Sequence, residues 1–151
     1  MRVSELMSTD VCTVDPQQSL QMAAQCMSEL DIGILPVGEN DRLVGMISDR
    51  DIAVRGIAAG KGPSIPVRDV MSKDVKYCFE DQEIEDVTRN MADQQIRRLP
   101  VLNRDKRLVG ILSLGDVALA EAGSRKMQHV GNALAGISQP GGEHSQSDGR
   151  L

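Results

Sequence analysis

Two stretches of this sequence place a serine three residues ahead of an aspartate, each behind a short apolar run: LVGMISDRD (43–51) and LVGILSLGD (108–116). An apolar strand that ends in Ser-x-x-Asp and passes into a helix brings three features together. The first N–H groups of a helix have no partner within it and favour an anion. The hydroxyls of Ser48 and Ser113 stand at that terminus and can donate to a phosphate. Asp51 and Asp116 follow one helical turn later, where a carboxylate can accept from two vicinal hydroxyls. Gly45 and Gly110 remove side chains where a ligand or another backbone approaches. The set suits a ribose phosphate. The same spacing is also a helix-capping signature. A duplicated cap is inherited as easily as a duplicated site, so both readings stand.

The duplication runs through most of the chain. Met7, Val11, Met27 and Pro36 recur as Met71, Val75, Met91 and Pro100. Gly45, Ser48 and Asp51 recur as Gly110, Ser113 and Asp116 after one inserted residue. Both copies must therefore form one supersecondary unit, and two copies fit a pseudo-twofold pair better than a solenoid. The boundaries expected are a first repeat at 3–60, a linker at 61–66 and a second repeat at 67–122. A C-terminal extension at 123–138 and a polar, Gly/Ser-rich tail at 139–151, expected to be disordered, complete the chain.

The elements that must position the two Ser-Asp pairs can be read from periodicity. After a short lead-in at Val3–Met7 and an extended stretch at Cys12–Val14, Leu20, Ala23, Ala24, Met27 and Leu30 form one face of a helix over 19–30. Ser19 is its N-cap. Strands follow at 34–37 and 43–47, joined by a turn at ENDR, and a helix runs from Ser48 to about Ala59. Repeat two has its helix at 84–94, strands at 99–102 and 108–112, and a last helix from Ser113. Pro36 and Pro100 lie within strands, which predicts a shared edge where no ladder hydrogen bond is needed. Val130, Leu134 and Ile137 fit one short amphipathic helix in the extension.

Composition excludes several classes. Net charge is −5 and aromatic content 1%, from Tyr77 and Phe79. A general nucleic-acid binder needs a basic surface, and a single-strand binder needs stacking platforms. No run reaches the length of a membrane span, and the N-terminus lacks the apolar stretch of a signal peptide. A cytoplasmic protein is expected. Cys12, Cys26 and Cys78 are odd in number, match between repeats at no position and have no CxxC spacing. A disulfide framework and a metal site are not expected. No histidine precedes His129, and neither a P-loop nor a dinucleotide fingerprint occurs, so no enzyme and no catalytic cofactor are expected. The acids of EDQEIED (80–86) and the bases of 97–107 read as solvated faces, with Arg97 and Arg98 set apart because they precede a strand.

The order helix–strand–strand–helix, with DIGILPV, RRLPVL, LVG and Ser-x-x-Asp, resembles the CBS domain, named after cystathionine β-synthase. Two in tandem resemble a CBS pair, or Bateman module, of the freestanding bacterial kind, over about residues 3–122. The resemblance implies an α/β (α+β) fold of two β-α-β-β-α repeats, related by a pseudo-twofold axis and packed sheet to sheet. It implies clefts that bind adenosine-containing ligands: AMP, ADP, ATP, NAD or S-adenosylmethionine. Ser48 with Asp51 and Ser113 with Asp116 then hold phosphate and ribose. The adenine slot falls on Thr13 and Val14, or Tyr77 and Cys78, together with Ile34 or Arg98. Arg98, helped by Arg97 or Arg50, is expected to favour phosphate in the cleft of Ser48 and Asp51. Family resemblance also implies a disc-like homodimer and an effector protein that reads the ligand state. The function expected is a regulatory adenine-nucleotide sensor. The alternative is a ligand-free interaction or dimerisation module in which Ser-x-x-Asp only caps helices.

Overall fold

The computed structural model describes residues 1–123 and 127–140. The expected disorder of 139–151 falls, beyond residue 140, outside the described residues. Two compact units are present. One comprises Met1–Val11, Tyr77–Asp105 and the described residues from Val109 on. The other comprises Cys12–Lys76 and Lys106–Leu108.

In the Cys12–Lys76 unit, helix α2 (Leu20–Leu30) starts on the Ser19 hydroxyl, which accepts from the Met22 N–H at 3.1 Å. It leads to an antiparallel hairpin of β1 (Ile34–Glu39) and β2 (Arg42–Ser48). Asn40 and Asp41 both have positive φ, at 55° and 63°. That pair makes a tight two-residue turn whose twist suits a hairpin, and short polar side chains tolerate it best. Val14 bridges Val37 in parallel on the other side of β1. Its core gathers Val14, Leu20, Leu35, Val37, Ile47 and Val67.

The other unit repeats this plan. Helix α4 (Ile84–Gln94) precedes a sheet of β3 (Cys78–Phe79), β4 (Arg98–Leu102) and β5 (Leu108–Ser113). Cys78 pairs with Val101 in parallel, the counterpart of Val14 with Val37. Helix α5 (Leu114–Glu121) follows, and the extension forms α6 (Met127–Ile137), longer than the short helix expected. Gly136 permits the close packing of α6 on α4, since a Cβ there would stand 2.8 Å from the Ala92 Cβ. The Gln95 amide donates to the Gly136 and Gln139 carbonyls, satisfying groups that a helix end leaves open.

Each lead-in packs on the sheet of the other repeat. Helix α1 (Val3–Leu6) places Val3 in the core with Ile84 and Leu112, while Val67 lies in the core with Leu35 and Ile47. Ser8 exchanges both backbone hydrogen bonds with Ile111, at 2.8 and 2.9 Å, and Ser72 does so with Met46, at 2.8 and 3.0 Å. The repeat boundaries read from the sequence are thus not the boundaries of the packing.

This exchange also explains the strand prolines, and it corrects the expectation of an edge. Pro36 stands opposite Met46, whose N–H and C=O turn away to Ser72. It therefore occupies a non-hydrogen-bonded position of β1, inside the sheet, and costs the hairpin nothing. A second correction concerns the helix after Ser48. It makes one α turn as α3 (Asp49–Asp51) and widens to a π-helix over Ile52–Ile57, closed by Ala58 N–H donating to Ala53 at 2.9 Å. The wide turn coincides with buried Gly56, where a Cβ would lie 3.1 Å from Leu20 Cδ1.

Gly45 and Gly110 are required by backbone, the second of the two readings given above. A Cβ on Gly45 would lie 2.8 Å from the Ser72 carbonyl oxygen, and one on Gly110 2.9 Å from that of Ser8. Ala at either position should cost about 1–3 kcal/mol in urea unfolding, because a backbone atom in a paired segment cannot yield. Gly131→Ala, within α6 with nothing inside 4 Å of its Cβ, should instead stabilise by about 0.5–1 kcal/mol.

Candidate functional site

Strand β2 delivers Ser48, and α3 delivers Asp51. The Ser48 hydroxyl accepts from the Asp51 N–H at 3.0 Å, and Asp51 Oδ2 accepts from the Ser48 N–H at 2.9 Å. Strand β5 and α5 deliver Ser113 and Asp116 in the same reciprocal arrangement, at 3.0 and 3.1 Å. Both are complete capping boxes. The serine hydroxyls still have a proton to donate, so capping and ligand contact are compatible.

The two ends differ in what they leave open. At the first, the Asp49 N–H donates to the Gly33 carbonyl at 2.9 Å and the Arg50 N–H to Asp49 Oδ1 at 2.8 Å. With Ser48 and Asp51 also paired, none of these four amides remains for an anion, which corrects the expectation of an open helix terminus there. Arg55 Nη2 takes the second carboxylate oxygen of Asp51, at 3.0 Å. At the other end, the Leu114 N–H donates to the Arg97 carbonyl at 2.8 Å. Leu114 has no carboxylate with which to hold the next amide. Among the described residues the Gly115 N–H and Asp116 Oδ1 make no hydrogen bond, and Gly115 brings no side chain to cover them.

The expected adenine-slot residues divide by exposure. Thr13, Tyr77, Arg97 and Arg98 are exposed, and Ile34 is half-buried. Arg98 opens β4. Arg50 is exposed on α3. Val14 belongs to the core, 1% exposed, and its N–H and C=O are used by Pro36 and Gly38. Cys78 is 3% exposed, and burial pushes its thiol up to about 12. Neither side chain lines an open surface, because pairing with the strand turns position 14 and its counterpart 78 inward.

Sequence reasoning missed several groups. Arg55 carries a legible signal, since a base four residues after an acid on a helix faces it. Asp49 fits over Gly33, where a Cβ would lie 2.9 Å from its Oδ2. Beside Tyr77, the Phe79 ring meets it edge-on at 5.6 Å and carries the Arg104 guanidinium at 4.1 Å. Arg104 also hydrogen-bonds Asp81 at 2.7 and 2.8 Å, which holds that carboxyl below the usual range. The acidic run is thus partly paired surface, with Asp81 on Arg104, Glu83 on the N-terminal ammonium and Asp86 on Arg89. Among the described residues no group of three His, Cys, Asp or Glu is placed to hold a metal, and no helix is long and apolar enough to cross a membrane.

The profile of the CBS domain matches at residues 3–55 and again at 67–123. The chain belongs to the CBS-domain family. It is 40% identical over 136 residues to the CBS domain-containing protein YhcV of Bacillus subtilis, covering 90% of this chain and 94% of YhcV. Among solved structures it is similar to Hypoxic Response Protein I with two coordinated zinc ions (TM-score 0.72, 36% identity, 79% of this chain and 98% of that one). It is also similar to the CBS-domain pair of protein MJ0100 in complex with 5′-methylthioadenosine and S-adenosylmethionine (TM-score 0.71, 26% identity, 80% and 94%). CBSX2 in complex with AMP is a third (TM-score 0.69, 28% identity, 79% and 94%). The CBS pair is a regulatory module and not a catalytic one.

The buried thiol of Cys78 makes a pH prediction. The unfolded chain releases this proton near its ordinary value of 9.0, whereas the folded chain keeps it to about 12. Unfolding therefore releases a proton in that window. Stability is full below about pH 9 and should fall by about 1.4 kcal/mol per pH unit above it. Denaturant unfolding of Cys78→Ala should give a lower plateau but a flatter alkaline limb than the native protein.

Proposed function

We propose that this CBS pair is a regulatory sensor of an adenosine-containing ligand, with AMP, ATP or NAD the best fit and S-adenosylmethionine the next. Asp116 accepts from the ribose hydroxyls, while the Ser113 hydroxyl and the Gly115 N–H approach the phosphate. The observation that carries this reading is the unengaged Asp116 oxygen beside an uncovered amide, on a sequence pattern that occurs twice. Relatives of the same fold solved with AMP or with S-adenosylmethionine support it. Ser48 and Asp51 form the second ribose-phosphate end, with Arg50 at its rim, and Arg97 and Arg98 at the head of β4 are further phosphate cations. Thr13, Tyr77 and Ile34 supply apolar and edge contacts to adenine. Ligand binding biases the arrangement of the pair, and an effector protein reads the bias. The unbridged thiols of Cys26 and Cys78 suit a reducing compartment, which is the basis for placing the protein in the cytoplasm.

Calorimetry with AMP tests the assignment. A charge-assisted contact contributes on the order of 1.5–3 kcal/mol, so Asp116→Ala should weaken binding roughly ten- to hundredfold. If Asp51→Ala and Arg98→Ala weaken binding while Asp116→Ala does not, AMP sits at the Ser48 end instead. Should none of the three matter, and AMP, ATP, NAD and S-adenosylmethionine all fail to raise the melting temperature, the sensor reading fails. The second reading, a ligand-free interaction module, then takes its place. The completeness of both capping boxes favours it.

Dimerisation belongs to either reading. Met22, Leu30, Val54 and Ile57 are exposed in one unit, and Leu119, the counterpart of Val54, is 83% exposed in the other. A helix face of this kind is covered in a homodimer. Sedimentation equilibrium at tens of micromolar should give twice the chain mass, and Val54→Glu with Leu119→Glu should return it to the monomer value.

A further inference from the structure

Within the Cys12–Lys76 unit, an open depression of about 640 Å³ is lined by Arg55, Lys61, Arg68, Asp69, Met71 and Lys73. Neither Ser48 nor Asp51 lines it. Four bases converge there in a chain of net charge −5. We infer that this depression binds an oligophosphate chain, at a site that adjoins the Ser48 end through Arg55 and includes neither Ser-Asp pair.

The fold itself does not require these bases. The positions that match Arg55, Arg68 and Lys73 in the other repeat are Ala120, Ser4 and Thr9, while Met71 is matched by Met7 and Asp69 by Glu5. At these three positions one copy carries a cation and the other a small or neutral side chain. Internal pairing does not use them up either. Arg55 meets Asp51 at 3.0 Å and Arg68 meets Glu39 at 3.5 Å. The Lys61 ammonium sits on a neutral acceptor, the Asp69 carbonyl, at 3.2 Å. Lys73 makes no ion pair among the described residues. The acids in reach, Asp69, Asp51 and Glu39, leave the bases in excess.

The backbone beneath is held in place. The Lys61 N–H donates to Gly56, that of Arg68 to Pro16 and that of Met71 to Val67, each at 2.9 Å. Met71, 8% exposed, gives an apolar floor. Two guanidinium forks and two point-charge ammoniums match an anion with several oxygens along a chain. A single charge at so open a site would be screened by salt, whereas a multivalent chain engages several bases at once.

Inorganic tripolyphosphate is the probe, titrated calorimetrically into the full chain at low ionic strength. Saturable binding is expected, and Lys61→Gln with Lys73→Gln together should weaken it about tenfold, a figure discounted for exposure. The double variant should melt as the native protein does and keep its AMP affinity, which separates this site from the proposed sensor site. ATP that displaces tripolyphosphate would assign a chain carried on a nucleotide, and failure to displace would assign a free oligophosphate. Absence of saturable binding, an unchanged affinity in a folded double variant, or an equal loss of AMP binding would each overturn the inference.

Discussion

The Ser72 carbonyl lies 2.8 Å from the point where a Cβ on Gly45 would stand, and the Ser8 carbonyl 2.9 Å from the same point on Gly110. Most of the architecture depends on these two approaches. They let a lead-in segment pair with the second hairpin strand of the opposite repeat. The same segment carries Val3 or Val67 to full burial in the core it completes. A buried valine contributes about 1.5–3 kcal/mol, so neither sheet is finished without residues from far along the chain. The strand that the glycine opens is also the one that ends in Ser48 or Ser113. The site residues are therefore positioned by the exchange and not by the hairpin alone.

Capping and ligand contact draw on the same atoms, and the two ends show how one pattern can be set differently. A capping box uses the serine lone pair and one carboxylate oxygen. What remains depends on neighbours. Asp49 and Arg55 occupy the remainder at the first end, while Leu114 and Ala120 leave it open at the second. A ligand at the first end has to displace Arg55 from Asp51 or bind with the pair intact. At the second it meets an amide and a carboxylate oxygen with no competing partner among the described residues. Two substitutions six residues apart thus separate the chemistry of sites that their Ser-x-x-Asp spacing makes look equal.

The elements were legible where period and punctuation agree. The α2 and α4 helices, both hairpins and the Ser19 cap follow from i, i+3, i+4 spacing and from turn residues, because local packing decides them. Long-range pairing was not legible. Nothing local tells that Ser8 meets Ile111 or that Ser72 meets Met46, so the sequence leaves the reason for Gly45 open between ligand and backbone and reads Pro36 as an edge residue. Both have one source, a partner about 26 residues ahead of Met46 in one case and about a hundred behind Ile111 in the other. The π-helical turn at Ile52–Ile57 was equally hidden, since its apolar pattern suits an ordinary helix. At the site, Ser48, Asp51, Ser113 and Asp116 fell where expected, but the capping of each amide depended on the residues between them.

Repetition gives this chain an internal control that a single copy lacks. A residue present in both copies serves the shared scaffold or a shared site, and the pairs Gly45 with Gly110 and Met7 with Met71 are accounted for by packing. A residue present in one copy, at a position the other fills with something small or neutral, is not demanded by the fold. Arg55, Arg68 and Lys73 are of that kind, and so is Arg98 against Ile34. Exposed charges of this sort add little to stability. Their asymmetry therefore points away from folding and toward what each copy meets in solution.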